Sequence, residues 1–131
     1  MTTKVYTIPT KPVAWQRPGR SEGRFYDTQT HLKNSLGFYL EQQHGDLPPF
    51  KGPIEIDMKF YFPIPKTVRK RPNTIDMWHI TVPDADNLLK LLYDTLQRSE
   101  IIINDKIVCK GSFSKQYDKV ERTVITITEL T

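Results

Sequence analysis

The plainest pattern in the chain is an alternation. In Ile54-Glu-Ile-Asp-Met-Lys-Phe-Tyr-Phe62, the residues Ile54, Ile56, Met58, Phe60 and Phe62 fall on one side, and Glu55, Asp57, Lys59 and Tyr61 on the other. A period of two is that of a strand with one buried face. Val5–Ile8 reads as a shorter strand. Ile107–Lys115 and Val120–Glu129 read as two more, joined across Gln116–Lys119 as a hairpin. Elsewhere the period becomes helical. Thr28 or Thr30 is placed to cap a helix in which Leu32, Leu36, Tyr39 and Leu40 share a face and which Gly45 ends. Asp86 to about Gln97 reads as a second helix, followed by a short extended connection at 101–103. The segment KPVAWQRPGRSEGR is too polar and broken for regular structure, and residues 63–78 form a basic, Pro-bounded loop. The order β-α-β-α-β-β predicts an α+β fold, one compact domain over 1–131, with two helices packed on a small mixed sheet. Strand order stays open.

Composition narrows the class. A chain of 131 residues with 37% hydrophobic and 11% aromatic residues is long enough for one core and is not disordered as a whole. Apolar runs such as Ile101–Ile103 are far too short to span a bilayer, and the start, MTTKVYTIPTKP, has no apolar signal core. The single cysteine, Cys109, excludes an internal disulfide and suits a reducing, cytoplasmic setting. The formal charge is +4, and its distribution says more than its size. Residues 1–33 carry Lys4, Lys11, Arg17, Arg20, Arg24 and Lys33 against Glu22 and Asp27, and Lys66, Arg69, Lys70 and Arg71 crowd one short stretch. From Asp84 to Asp105 the sign reverses: Asp84, Asp86, Asp94, Glu100 and Asp105 face only Lys90 and Arg98. Basic surface around an acidic island is what a nuclease needs, to grip phosphates and to hold a cation at one of them. An ordinary mixed-charge surface has the same composition.

The acidic island begins Pro83-Asp-Ala-Asp-Asn-Leu-Leu-Lys-Leu-Leu-Tyr-Asp-Thr-Leu96. Proline keeps Val82 out of the helical region, and in an extended stretch residues two apart share a side, which brings Asp84 and Asp86 together. Two such carboxylates need a metal or a basic side chain beside them. Winding the helix from Asp86 places Lys90, Asp94 and Gln97 on its side and gathers Leu88, Leu89, Leu92 and Leu96 in the core. A third acid, Asp105, recurs in the turn-forming sequence Asn104-Asp105-Lys106. The same residues also suit a plainer role, since Asp and Asn are common N-caps and Asp86…Lys90…Asp94 has the spacing of a salt-bridge ladder. Tyr93 falls either at the site or on the helix flank.

PDADNLLKLLYDTL followed by NDKIV resembles the signature of the RusA family of Holliday junction resolvases, common in phages and prophages. KPVAWQRPGR and GPIEIDMKFYFPIPK resemble that family's N-terminal segment and the strand before its basic loop, so the resemblance runs along nearly the whole chain in order. It implies that Asp84, Asp86 and Asp105 are metal-binding carboxylates, Lys90 a catalytic lysine and Asn87 its neighbour at the site. The family often has two successive aspartates where this chain has Asn104-Asp105. The resemblance also implies a compact α+β homodimer acting on four-way DNA junctions, with two active sites for the two symmetric strands.

Hard oxygen donors indicate Mg²⁺ or Mn²⁺, and His31, His44, His79 and Cys109 show no zinc spacing. The restriction-type PD-(D/E)xK motif places its second acid and lysine two apart on a strand. Asp86 and Lys90 are four apart on a predicted helix. Lys66, Arg69, Lys70 and Arg71 are candidate phosphate contacts. Arg17 and Arg20 are further candidates beside Trp15 and Phe25, aromatics that either stack on unpaired bases or pack against the domain. The expected function is a metal-dependent, structure-selective endonuclease. The alternatives are a non-catalytic DNA-binding module of the same fold and a phosphotransferase acting on nucleotides.

Overall fold

The computed structural model describes residues 2–17, 19–21, 23–26, 28–66 and 77–131, the side chains of 19–21 and 24–26 excepted. Arg69, Lys70 and Arg71 therefore lie outside the described residues, as does the side chain of Arg20. The elements are β1 (Thr3–Ile8), β2 (Gly19–Ser21), β3 (Arg24–Tyr26), α1 (Thr30–His44), β4 (Ile54–Pro63), α2 (Ala85–Arg98), a 3₁₀ turn (Asp105–Ile107), β5 (Val108–Asp118) and β6 (Arg122–Glu129). Two helices pack on a four-stranded mixed sheet of order β1-β6-β4-β5, which is the α+β domain the hydrophobic pattern predicts.

The alternating strand takes the middle. β4 buries Ile54, Ile56, Met58, Phe60 and Phe62 and is bonded on both edges, antiparallel to β6 and parallel to β5. A parallel pair needs a crossover, and α2 supplies it between β4 and β5. The expected β5–β6 hairpin does not form. A short connection suggests a hairpin, but the chain uses it to step across the end of β4 and pair on its other edge. Arg122 secures that step: its guanidinium is 2.6 Å from the Asp118 carboxylate and lies 3.9 Å over the Tyr61 ring on β4. β1 then adds to the outer edge of β6.

Two further expectations are corrected. The Pro/Gly/Arg-rich segment is not wholly irregular, because β2 and β3 pair as a small antiparallel ribbon with Gly23 at φ 76° between them. α1 ends at Gly45 as expected, where φ is 63° and the amide bonds to the Glu41 carbonyl. At its other end neither Thr28 nor Thr30 caps it. The N-cap position belongs to Gln29, whose side chain instead reaches the loop before it, accepting from the Gln16 amide (2.8 Å) and donating to the Ala14 carbonyl (2.9 Å).

The core is continuous between the helices and one face of the sheet, with Leu36 and Leu40 of α1 and Leu88, Leu91, Leu92 and Leu96 of α2 fully or almost fully enclosed. Tyr6 sits among them with its hydroxyl 2.7 Å from His44 Nδ1, and burial pushes its pKa up to about 12. Among the described residues, no helix is long and apolar enough to cross a membrane.

His79 extends the core beyond the open edge of β5. Its amide bonds to the Lys115 carbonyl, and its ring stacks on Phe62 at 3.7 Å between centroids. Burial, and then the positive charge of Lys115, hold its pKa below the ordinary histidine value. A histidine kept neutral in the fold takes up its proton first in the unfolded chain, so stability should fall as pH drops below about 6.5. Thermal melts of wild type and His79→Phe between pH 7.5 and 5.5 test this: the wild type should lose stability more steeply, and parallel curves would remove His79 from the account.

Candidate active site

The polar flank of α2 and the 3₁₀ turn face each other across a cavity of about 290 Å³. Asp86, Leu89, Lys90, Tyr93, Asp94 and Asp105 line it. The two walls are fixed to one another. Gln97, near the end of α2, accepts the Asp105 amide at 3.0 Å, and the Asn104 side chain accepts the Lys106 amide at 2.9 Å, setting the turn. Asn104 thus has a conformational role that needs a side-chain acceptor and no charge.

The start of α2 is anchored from β5. Lys115 Nζ donates to the carbonyls of Thr81 (3.0 Å) and Pro83 (2.6 Å), immediately before Asp84. The Val82–Pro83 peptide is cis. Asp84 is the N-cap, with extended φ −69° and ψ 149° and no side-chain capping bond. Helix begins at Ala85, one residue earlier than the pattern suggests. Asp84 keeps extended torsions while Asp86 is already in the helix, so the two acids straddle the helix boundary. Asp86 lines the cavity with Asp105, and Asp84 lies outside that lining, at the helix start. Among the described residues, no group of three or more His, Cys, Asp or Glu is gathered closely enough to hold a metal ion.

The charges in the cavity are not arranged as a ladder. Among the described residues, neither Asp86 nor Asp105 makes a side-chain ion pair, and Asp94 pairs across to Lys33 of α1 at 3.9 Å. Lys90 pairs with neither Asp86 nor Asp94; its ammonium lies 3.6 Å from the centroid of the Trp15 ring. Trp15 in turn donates its amide to the Asn87 carbonyl at 2.9 Å. This ring packs against the domain, which is one of its two expected roles.

Leu89 and Tyr93 are the residues that sequence reasoning misplaced or left open. Leu91, not Leu89, completes the buried face, and Leu89 is half-buried on the cavity wall. At about 100° per residue, Leu89 and Tyr93 fall roughly 60° and 20° from Asp86, so the helical arithmetic contained the answer. Tyr93 is held partly buried. Its hydroxyl stands 4.0 Å from where a Cβ on Gly111 of β5 would sit, and burial, then the negative charge of Asp105, raise its pKa. Of the basic candidates, Arg17 and Lys66 are exposed, with no cavity role.

The family model described as Endodeoxyribonuclease RusA matches residues 9–128. The chain belongs to the RusA endodeoxyribonuclease family. The matched span includes all six residues that line the cavity, together with Trp15 and Lys115. An uncharacterized protein of Bacillus subtilis (strain 168), YqaN, is 28% identical over 139 aligned residues, covering 95% of each chain.

The Lys115 anchor has a local signature. The Leu88 amide bonds to the Asp84 carbonyl at 3.2 Å, the first turn after the anchored proline. Lys115→Met should increase hydrogen exchange at Leu88 while leaving Ile125 in the sheet protected, at a stability loss of about 1.5 kcal/mol or less. Unchanged exchange at Leu88 would show that Asp84 is fixed without Lys115.

Proposed function

We propose that this RusA family member resolves four-way (Holliday) DNA junctions by paired nicks, as a Mg²⁺- or Mn²⁺-dependent endodeoxyribonuclease. Asp86 and Asp105 would hold the ion, with Asp84 contributing from the helix start. The observation that carries this is the convergence of two unpaired carboxylates, from α2 and from the turn after it, in one cavity beside Lys90. The donor set fits the ion: Mg²⁺ is commonly held by one or two carboxylates, with waters and substrate phosphates completing its shell. His44 and His79 are buried and His31 is not among the cavity-lining residues, so the cavity offers oxygen donors and no imidazole.

When bound, such an ion neutralises charge at the scissile phosphate and lowers the pKa of an attacking water. The chain supplies the rest. Asp86 and Asp105 would hold the cation from the two walls of the cavity. Lys90 offers positive charge to the phosphoryl oxygens, where negative charge grows during attack. Leu89 and the ring of Tyr93 limit water on the cavity wall. Arg17, Arg20, Lys66, Arg69, Lys70 and Arg71 are proposed to grip phosphates farther along the arms, and binding through them falls as salt rises. The scaffold alternative, a salt-bridge ladder on α2, is not favoured, because Lys90 bonds to neither of its neighbouring aspartates.

Cleavage of a synthetic four-way junction with Mg²⁺ tests the reading. Asp86→Asn, Asp105→Asn and Asp84→Asn should abolish nicking while junction binding persists or tightens, because each removes a ligand and a negative charge. Ca²⁺ should support binding without cleavage. Lys90→Ala should slow cleavage by about 10²–10³, by analogy with lost oxyanion donors, and change affinity much less. Near-normal turnover in Asp105→Asn, or equal rates in Ca²⁺ and Mg²⁺, would overturn the assignment.

The two equivalent strands of a junction call for two sites related by a two-fold axis, so the active species is proposed to be a homodimer. Light scattering should give twice the monomer mass at working concentration. Monomer alone, still nicking in pairs, would defeat this.

A further inference from the structure

Lys90 stands one helical turn from an aspartate on either side, Asp86 before it and Asp94 after it. On an exposed helix face, that spacing normally draws a lysine into an ion pair. Here the ammonium is instead 3.6 Å from the centre of the Trp15 ring. The ring is not there by accident of packing. The Trp15 amide bonds to the carbonyl of Asn87, three residues before Lys90, so ring and lysine are referenced to the same turn of α2. The residues on both sides of Trp15 are tied down as well. The Gln29 amide, almost completely buried at the start of α1, accepts from Gln16 and donates to Ala14. Three consecutive residues of the N-terminal arm are thereby pinned to both helices.

An aromatic face does something for an ammonium that a carboxylate does not. It attracts the cation through its quadrupole and leaves both the net charge and the N–H donors available. Pairing with Asp86 would cancel the charge that a phosphate needs. It would also occupy an acid that the proposed cation needs.

We infer that Trp15 is a positioning residue for Lys90: its ring seats the ammonium beside the cavity, away from Asp86 and Asp94, with its charge open to a phosphate. The inference rests on the proposed role of Lys90 at the scissile phosphate. It also gives the conformation of the N-terminal arm a direct bearing on cleavage, since the arm carries the ring.

The test combines cleavage with a readout that needs neither DNA nor metal. In the free protein, the Lys90 ε-methylene protons should resonate upfield through the ring current of Trp15. The shift should persist in Trp15→Phe and vanish in Trp15→Leu and Trp15→Met, the last keeping a long apolar side chain without an aromatic face. Single-turnover cleavage of a four-way junction should slow by about 3- to 30-fold in the leucine and methionine variants, the range a cation–π contact supports, with junction affinity in Ca²⁺ nearly unchanged. Trp15→Phe should recover most of the rate. In a Lys90→Ala background, Trp15→Leu should cost nothing further, because the residue it positions is gone.

A full additional penalty in that double variant would overturn the inference and return Trp15 to packing alone, as would an unshifted Lys90 methylene in the wild type. Thermal melts of each variant separate loss of fold from loss of position. Wild-type cleavage by Lys90→Ala would sink the role of Lys90 and the positioning role with it. That outcome is distinct from failure of the inference alone, in which Lys90→Ala is slow and the leucine variant is not.

Discussion

The arrangement of the whole site depends on β4 being bonded along both edges. A strand with five large apolar side chains on one face belongs in the middle of a sheet, and the middle requires a neighbour on each side. Because β5 is parallel to β4, the chain must cross over between them, and the crossover is α2. One face of that helix is then committed to the core through Leu88, Leu91, Leu92 and Leu96. The opposite flank is left to meet the turn that leads into β5. The cavity is thus the seam where the crossover helix ends its journey and the next strand begins.

Within that seam the chain keeps opposite charges apart. Asp94, the acid nearest the other helix, is matched by Lys33, whereas Asp86 and Asp105 are left without ion-pair partners among the described residues. Lys90 rests on an aromatic ring, although two aspartates lie within one turn. Holding unlike charges close but unpaired forgoes only a few tenths of a kcal/mol per exposed pair. On the proposed function that small loss leaves carboxylates for a cation and an ammonium for a phosphate.

What the sequence made legible follows from period and chemistry. The strict alternation in β4, the polar stripe on α2 and the acid at the turn were all readable, because each is a local pattern. Strand order was not, since a period of two says which face is buried and nothing about which strand lies alongside. Gln116–Lys119 reads as a hairpin loop for the same reason, whereas β5 runs on to Asp118 and the short connection after it, 119–121, steps across the end of β4. The helix was expected from Asp86 and starts one residue earlier, at Ala85, because Asp84 takes the N-cap position. Leu89 was taken for core because leucines on a helix suggest burial, although its angle from Asp86 puts it on the cavity side. The seat under Lys90 was beyond reach, because Trp15 lies 75 residues earlier in the chain and no local pattern joins the two.

The sheet order has a consequence for how the protein is made. β6 is what joins β1 to the rest of the sheet, and Thr3 is paired with Thr128, so the first strand waits for the last. A nascent chain emerging from a ribosome can build the β4–α2–β5 crossover well before it has β6. Until β6 arrives, β4 presents an unpaired edge with a full row of amides and carbonyls, beside a face of large apolar side chains. Pairings so distant in sequence form slowly, because the chain must close its longest loop before it gains the contacts. β6 therefore acts as the closing strand, and the interval before it docks is when the chain is most open to association with its neighbours.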